Sequence, residues 1–254
     1  MPSWKERRWY DDACATAFAL EILGERWALL IVRELMLGPR RFTELKDDLR
    51  GISAKSLSER LERLERAGVL KRHELGRPWN AVFYELSPWG YQAMPIFEAF
   101  GRWSLRSPLH DASLPLSPAA AMLSLRSTLR PTRAPLSIKV AFHFGEERFR
   151  VQLEPDGLFI EREAHPFLPG ALPRRIMGRP ALELTLDTLS FRRIFYGKEP
   201  LEAALEKGAP DGLTLRGDAA LCARFIASFA LPPKLSLPVP ASVSDPAPDP
   251  ELGS

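Results

Sequence analysis

Residues 42–68, "FTELKDDLRGISAKSLSERLERLERAG", hold two short amphipathic segments with Gly51 between them. In the first, Phe42, Leu45 and Leu49 fall on one helical face, and Gly51 is a stop. In the second, Ser53 suits an N-cap. Winding it at about 100° per residue places Ala54, Leu57, Leu61 and Leu64 on one stripe, opposite Lys55, Glu59, Glu62, Arg63 and Arg66. Helices this short are marginal alone, so each needs a neighbour to cover its apolar face. "VLKRHEL" and "AVFYELS" then alternate as strands joined by "GRPWN". Helix, tight turn, second helix and basic hairpin together make a helix-turn-helix with a wing.

The charge of this region points to an anionic partner. Residues 40–77 carry eleven Lys and Arg against seven Asp and Glu, a local excess of four, whereas the whole chain sums to only +3. A recognition helix enters the major groove with its N-terminal part. Ser53, Lys55, Ser56 and Ser58 are therefore the expected DNA-facing residues. Arg60 and Arg63 are expected on phosphates, which position a protein without specifying sequence. Arg40 and Arg41, just ahead of the first helix, are expected on the backbone, and Arg77 at the hairpin tip in or beside the minor groove. Lys71 and Arg72 flank the hairpin. The bland alternative is a solvated face laced by the pairs Glu59–Arg63 and Glu62–Arg66, each contributing ~0.2–0.5 kcal/mol.

Upstream, "CATAFALEILGERWALLIVRELMLG" has apolar residues at helical spacing, divided at Gly24 and ended by Gly38-Pro39. Downstream, "PWGYQAMPIFEAFGRWSLRS" is expected as one closing helix, kinked at Pro95. All six tryptophans lie before residue 104, while nine of fourteen phenylalanines lie after residue 140. Between these regions "SPLHDASLPLSP" carries three prolines and has the composition of a linker. The later part gives strands at "LSIKVAFHF", "RFRVQLE", "GLFIERE", "ALELTLD" and "DGLTLRGD", with helices at "TLSFRRIFYG", "EPLEAALEKG" and "AALCARFIASFA". The expected fold class is α+β. The expected domains are a winged helix-turn-helix over 1–107, a linker over 108–118, an α/β domain over 119–231 and a disordered proline-rich tail over 232–254.

Other chemistries lack their residues. Two cysteines, Cys14 and Cys222, exclude a disulfide framework and a four-cysteine zinc site. Four scattered histidines give no metal spacing, and no phosphate loop, GxGxxG or GxSxG occurs. No metal, no cofactor and no enzymatic activity are expected. Without a signal peptide or an apolar run long enough to span a bilayer, a cytoplasmic location with no membrane partner is expected.

The stretch from "CATAFALEILGERWALLIVREL" through "GPRRFTEL", "GISAKSLSERLERLERAG" and "LSPWG" resembles the HxlR-type winged helix-turn-helix regulators of bacteria over roughly residues 11–106. The resemblance implies a homodimer on double-stranded DNA, paired through the helix from Asp12 and the helix after Ser87. Family members sensing oxidants through an N-terminal cysteine make Cys14 a redox-sensing candidate, against the plain reading of a small core residue. "ELTLDTLSFRRIFYGKEPLEAALEKG" with "LTLRGDAALCARFIASF" is similar to sterol-carrier-like domains, over roughly 119–231. That implies five strands and several helices around an apolar tunnel, with a hydrophobic small-molecule effector or a protein contact as its role. Phe142, Phe144, Phe159, Phe191, Phe195, Phe225 and Phe229 are the pocket candidates, and ordinary core packing is the rival reading. The rival for the whole chain is a lipid- or sterol-like ligand carrier without specific DNA binding.

Overall fold

The computed structural model describes residues 10–77, 80–131, 135–163, 176 and 178–236. The chain enters with α1 (Ala15–Leu23) and α2 (Ala28–Leu35), broken at Gly24. A short strand, β1 (Arg40–Arg41), leads into α3 (Phe42–Asp48) and then α4 (Ala54–Arg66). The wing is β2 (Leu70–Leu75) paired antiparallel with β3 (Ala81–Leu86), Leu70 opposite Leu86 and Leu75 opposite Ala81. β1 adds a third strand by pairing with β3, Arg40 opposite Tyr84. Two residues gave no strand periodicity, so this pairing was not expected from the sequence.

The leucine stripe of α4 determines its seating. Leu57, Leu61 and Leu64 are at most 1% exposed, packed with Ile31, Leu35, Leu45 and Leu49. Each leucine taken from water stabilises the domain by about 1.5–3 kcal/mol. Ser53 caps the helix, its Oγ accepting from the Ser56 amide at 3.0 Å. Gly51 sits at φ +90, a left-handed turn that a side chain would strain.

The closing helix is two helices, not one kinked helix. α5 (Pro88–Tyr91) ends at Gln92, and α6 (Met94–Ser104) begins with Pro95 in its first turn. A proline there lacks only an amide that would be unpaired anyway. α7 (Pro118–Thr128) follows after a connection of turns and is buried along most of its length, packing against α2, α6 and the later sheet. A Cβ on Gly101 of α6 would stand 2.8 Å from the Ser127 Cβ, so that glycine permits the close α6–α7 approach.

The second sheet has the order β6-β5-β4-β7-β8. Its strands are β4 (Ile138–Phe144), β5 (Glu147–Glu154), β6 (Gly157–Arg162), β7 (Leu182–Thr185) and β8 (Thr214–Arg216). Pairing is antiparallel except for β4 with β7, Val140 opposite Leu182. α8 (Thr188–Phe195), α9 (Leu201–Lys207) and α10 (Ala219–Ala227) complete the layer. One apolar cluster runs from Ile22 to Phe229, through both halves of the chain.

Two expectations change here. Phe142, Phe144, Phe191, Phe195 and Phe225 are at most 7% exposed and lie ring against ring, with Phe191 and Phe195 centroids 4.5 Å apart. They are the core of the sheet's inner face, joined by Phe229. Phe159 alternates with the buried Leu158 and Ile160, so it belongs to the opposite face. The tail does not leave the fold at residue 232. Leu235 donates its amide to the Arg106 carbonyl at 2.8 Å, and Lys234 Nζ donates to the Ser107 and His110 carbonyls. From residue 237 the expected disordered tail lies outside the described residues. Among the described residues no helix is long and apolar enough to cross a membrane.

Candidate nucleic-acid interface

α4 presents its opening turn to solvent. The Lys55 side chain is 87% exposed, Ser58 is exposed and Ser56 is half-buried between them. Lys55 lies 4.0 Å from Glu59, a loose surface pair that leaves the ammonium free to take another anion. Ser53 and Ser56 are tied to each other, hydroxyl to hydroxyl at 2.9 Å, which fixes the turn's backbone. On the wing, Lys71 and Arg72 are exposed, Arg72 pairing with Glu74, and Arg77 is exposed in the turn. Pro78 and Trp79 lie outside the described residues.

Three arginines expected on the backbone are engaged elsewhere. Arg60 and Arg63 both reach back to Glu25 in the turn between α1 and α2, and Arg63 Nη2 also donates to the Glu21 carbonyl at 3.0 Å. They therefore lock α4 onto the first two helices. Arg40 is only 5% exposed and is surrounded by Asp48, Glu44 and Glu147. A guanidinium so enclosed is not a free phosphate contact. Arg41 is half-buried, its guanidinium 5.0 Å from the Phe83 ring centroid. Sequence reading missed Arg50, exposed in the turn before Ser53. It also missed Glu25, whose only sequence signal was a carboxylate beside a helix-breaking glycine.

The acid–base state of the enclosed cluster departs from the ordinary. Burial raises the Asp48 carboxyl to about 6, with Arg40 opposing and Glu34 and Glu147 adding to the rise. Cys14 is exposed at the N-cap of α1. The amides of Thr16 and Ala17 and the Thr16 hydroxyl hold its thiol below the usual range. Cys222 is the opposite case, buried on α10 with its thiol pushed up to about 12 by burial.

An apolar surface lies along α6 and beside α1. Ile96, Phe100 and Trp103 of α6 are 37%, 52% and 78% exposed and recur at helical spacing. Phe18 and Trp89 are about half exposed beside a groove of about 310 Å³ between α1, α5 and α6.

The HxlR-like helix-turn-helix family model matches residues 22–108. The HTH-type transcriptional regulator YvaP of Bacillus subtilis (strain 168) is 37% identical over 86 residues, which span 34% of this chain and 80% of that protein. The chain belongs to the HxlR-like helix-turn-helix family. It is a transcriptional regulator of the HxlR type, and its named relatives are regulators, not enzymes. The HTH-type transcriptional regulator YodB of the same organism is 36% identical over 86 residues, 34% of this chain and 77% of YodB. The solved reduced form of YodB is similar with a TM-score of 0.36 at 32% identity, covering 39% of this chain and 100% of that one. The HxlR-like match ends at residue 108, before α7 and the second sheet.

Proposed function

We propose that this HxlR-like chain binds double-stranded DNA as a homodimer on an inverted repeat, reading bases with the opening turn of α4. The observation that carries the reading is Lys55, 87% exposed on a helix whose leucines are at most 1% exposed. A buried stripe holds the helix while its polar first turn faces outward, the requirement for insertion into a major groove. Lys55, Ser56 and Ser58 contact base edges, with Ser53 capping the turn. Arg77 and Arg41 contact phosphates, and Arg50 joins them. Arg60 and Arg63 hold the helix instead.

Dimerisation is supported by the exposed stripe Ile96, Phe100 and Trp103 and by the groove beside α1. Unpartnered apolar area of this kind marks an interaction surface. A two-fold pair would set its reading helices about one turn, ~34 Å, apart. Cys14, exposed and activated by the α1 N-terminus, is the proposed oxidant-responsive thiol. An apolar effector in the second half, as its resemblance to sterol-carrier-like domains implies, is supported by its five-stranded sheet and flanking helices, the inner-face phenylalanines serving as core and not as pocket lining.

The test is selection of bound duplexes from a random pool with the full chain. The proposal expects enrichment of one sequence with two-fold symmetry. A pool that stays random at physiological salt, with an apolar ligand recovered by mass spectrometry of the protein, would establish the carrier reading in its place.

A further inference from the structure

The two halves of the chain meet through a chain of charged groups centred on Arg40. Its Nη1 lies 2.9 Å from Glu147 Oε1, at the start of β5 in the second sheet. On its own side it is held by Asp48, and by Glu44 with Nε–Oε2 at 3.5 Å. Positions 40, 44 and 48 recur every four residues, so the same face of α3 that carries Glu44 and Asp48 looks toward the sheet. Arg162, at the end of β6, meets the other Glu147 oxygen at 3.2 Å and donates to the Glu34 carbonyl on α2 at 3.4 Å. Glu34 is fully buried, pairs with Arg33 at 2.7 Å and accepts from the Ser117 hydroxyl that caps α7 at 2.8 Å. Both helices that frame α4 are thus anchored on the second half.

Buried ion pairs contribute little net stability, because desolvation offsets their attraction. Their effect is geometric. Arg40 has three carboxylate partners, and only Glu147 comes from the other half. Releasing Glu147 would leave Arg40 still neutralised by Asp48 and Glu44, whereas Arg162 would lose its carboxylate and keep the Glu34 carbonyl, so the charge cost of opening the bridge falls on the second half. α3 passes its orientation to α4 through the turn at residues 49–53, where Leu49 and Ile52 are 2% exposed and Gly51 fixes the backbone. An element with a closed and an open arrangement is what a ligand or partner needs in order to shift affinity at another site.

We propose that Arg40 is a positioning residue, and that its bridge to Glu147 lets the C-terminal half set how α4 is presented to DNA. The inference rests on the DNA-binding reading above and adds the route by which the second half regulates it. Occupants or contacts of the second sheet that move the start of β5 would act through this bridge.

The experiment uses the full chain and two duplexes of equal length, one selected from the random pool by the wild-type protein and one of random sequence. Glu147→Gln keeps the side chain's size and removes its charge. It should weaken binding to the selected duplex about tenfold, an ordinary magnitude for coupling between sites. Random-duplex binding should be unchanged, and melting should stay cooperative at a lower temperature, because Arg162 loses its carboxylate partner. Glu147→Asp, which keeps the charge and shortens the reach, should lose less, and it carries the same comparison if the Gln variant does not fold. Unchanged binding to both duplexes, or an equal loss on both, overturns the proposal. A wild-type chain that selects no duplex fails the DNA-binding reading itself, a separate outcome.

Discussion

Arg63 of α4 turns back onto Glu25, the carboxylate in the turn between α1 and α2, and Arg60 shares the same partner. α4 is therefore clamped onto the α1–α2 turn by the charges that sequence alone would assign to the DNA. Glu25→Gln should lower the unfolding free energy by about 1.5–3 kcal/mol, the usual contribution of a charge-assisted hydrogen bond. The salt dependence of DNA binding should keep its slope, since no phosphate contact is removed. Chemical denaturation together with a salt titration checks both. An Arg60→Ala or Arg63→Ala variant of unaltered stability whose slope falls by about one would return that arginine to the backbone.

Lys55 and Arg77 differ in what they should touch. Lys55 is on the opening turn of α4, and Arg77 is in the exposed turn of the wing. Lys55→Ala should cost about 1–3 kcal/mol on the selected duplex and relax its sequence preference. Arg77→Ala should weaken selected and random duplexes alike and reduce the salt slope by about one. Binding curves on both duplexes at several salt concentrations separate the two. Identical behaviour of the variants would remove the division into base and phosphate contacts.

Asp48 gives the cluster a pH dependence of defined sign. Its carboxyl is raised to about 6 in the fold, from an ordinary value of 3.8. Between those values the folded chain holds a proton that the unfolded chain has released. This group's contribution to stability is therefore full below about pH 4 and lost as pH rises through about 6. Asp48→Asn, which cannot ionise, should narrow the stability difference between pH 5 and pH 8. Urea midpoints at the two pH values measure it, and an unchanged difference excludes Asp48 as its source.

The local parts of this architecture were legible in the sequence. The stripe of Leu57, Leu61 and Leu64, the Ser53 cap and the Gly51 turn depend on residues a few positions apart, and periodicity reports such relations directly. The charged contacts were not legible. A guanidinium has the same letter on an open surface or in an enclosed pair, and Arg162 finds the Glu34 carbonyl 128 residues away. α7 also escaped, for another reason. Ala119 to Leu123 are all buried, so the helix lacks the polar face whose alternation would announce it. The aromatic residues of the second half were recognised as a set, but whether such a set lines a cavity or fills one depends on ring-to-ring distances.

Cys14 and Cys222 predict opposite reactivity. The exposed Cys14 thiol is held below its usual range by the α1 amides, whereas burial pushes Cys222 up to about 12. Thiolate is the reactive form. An alkylating probe at pH 7 should label Cys14 and spare Cys222 in the folded chain, and Cys14→Ser should abolish any oxidant effect on DNA binding. Peptide mass spectrometry locates the label. A response that survives in Cys14→Ser would take Cys14 out of the mechanism.

Phe100 and Trp103 test whether the chain works in pairs. They are 52% and 78% exposed, on the side of α6 turned away from the Gly101–Ser127 contact with α7. Replacing both by Glu should leave the melting transition of the single chain intact, because neither ring fills its core. If a second copy covers these rings, two buried carboxylates would abolish pairing. The double variant should then sediment as a monomer, and its affinity for the selected inverted repeat should fall to that of a single half-site. A variant that still pairs would place the two-fold contact elsewhere on the molecule, and a wild-type protein already monomeric at micromolar concentration would overturn the pairing itself.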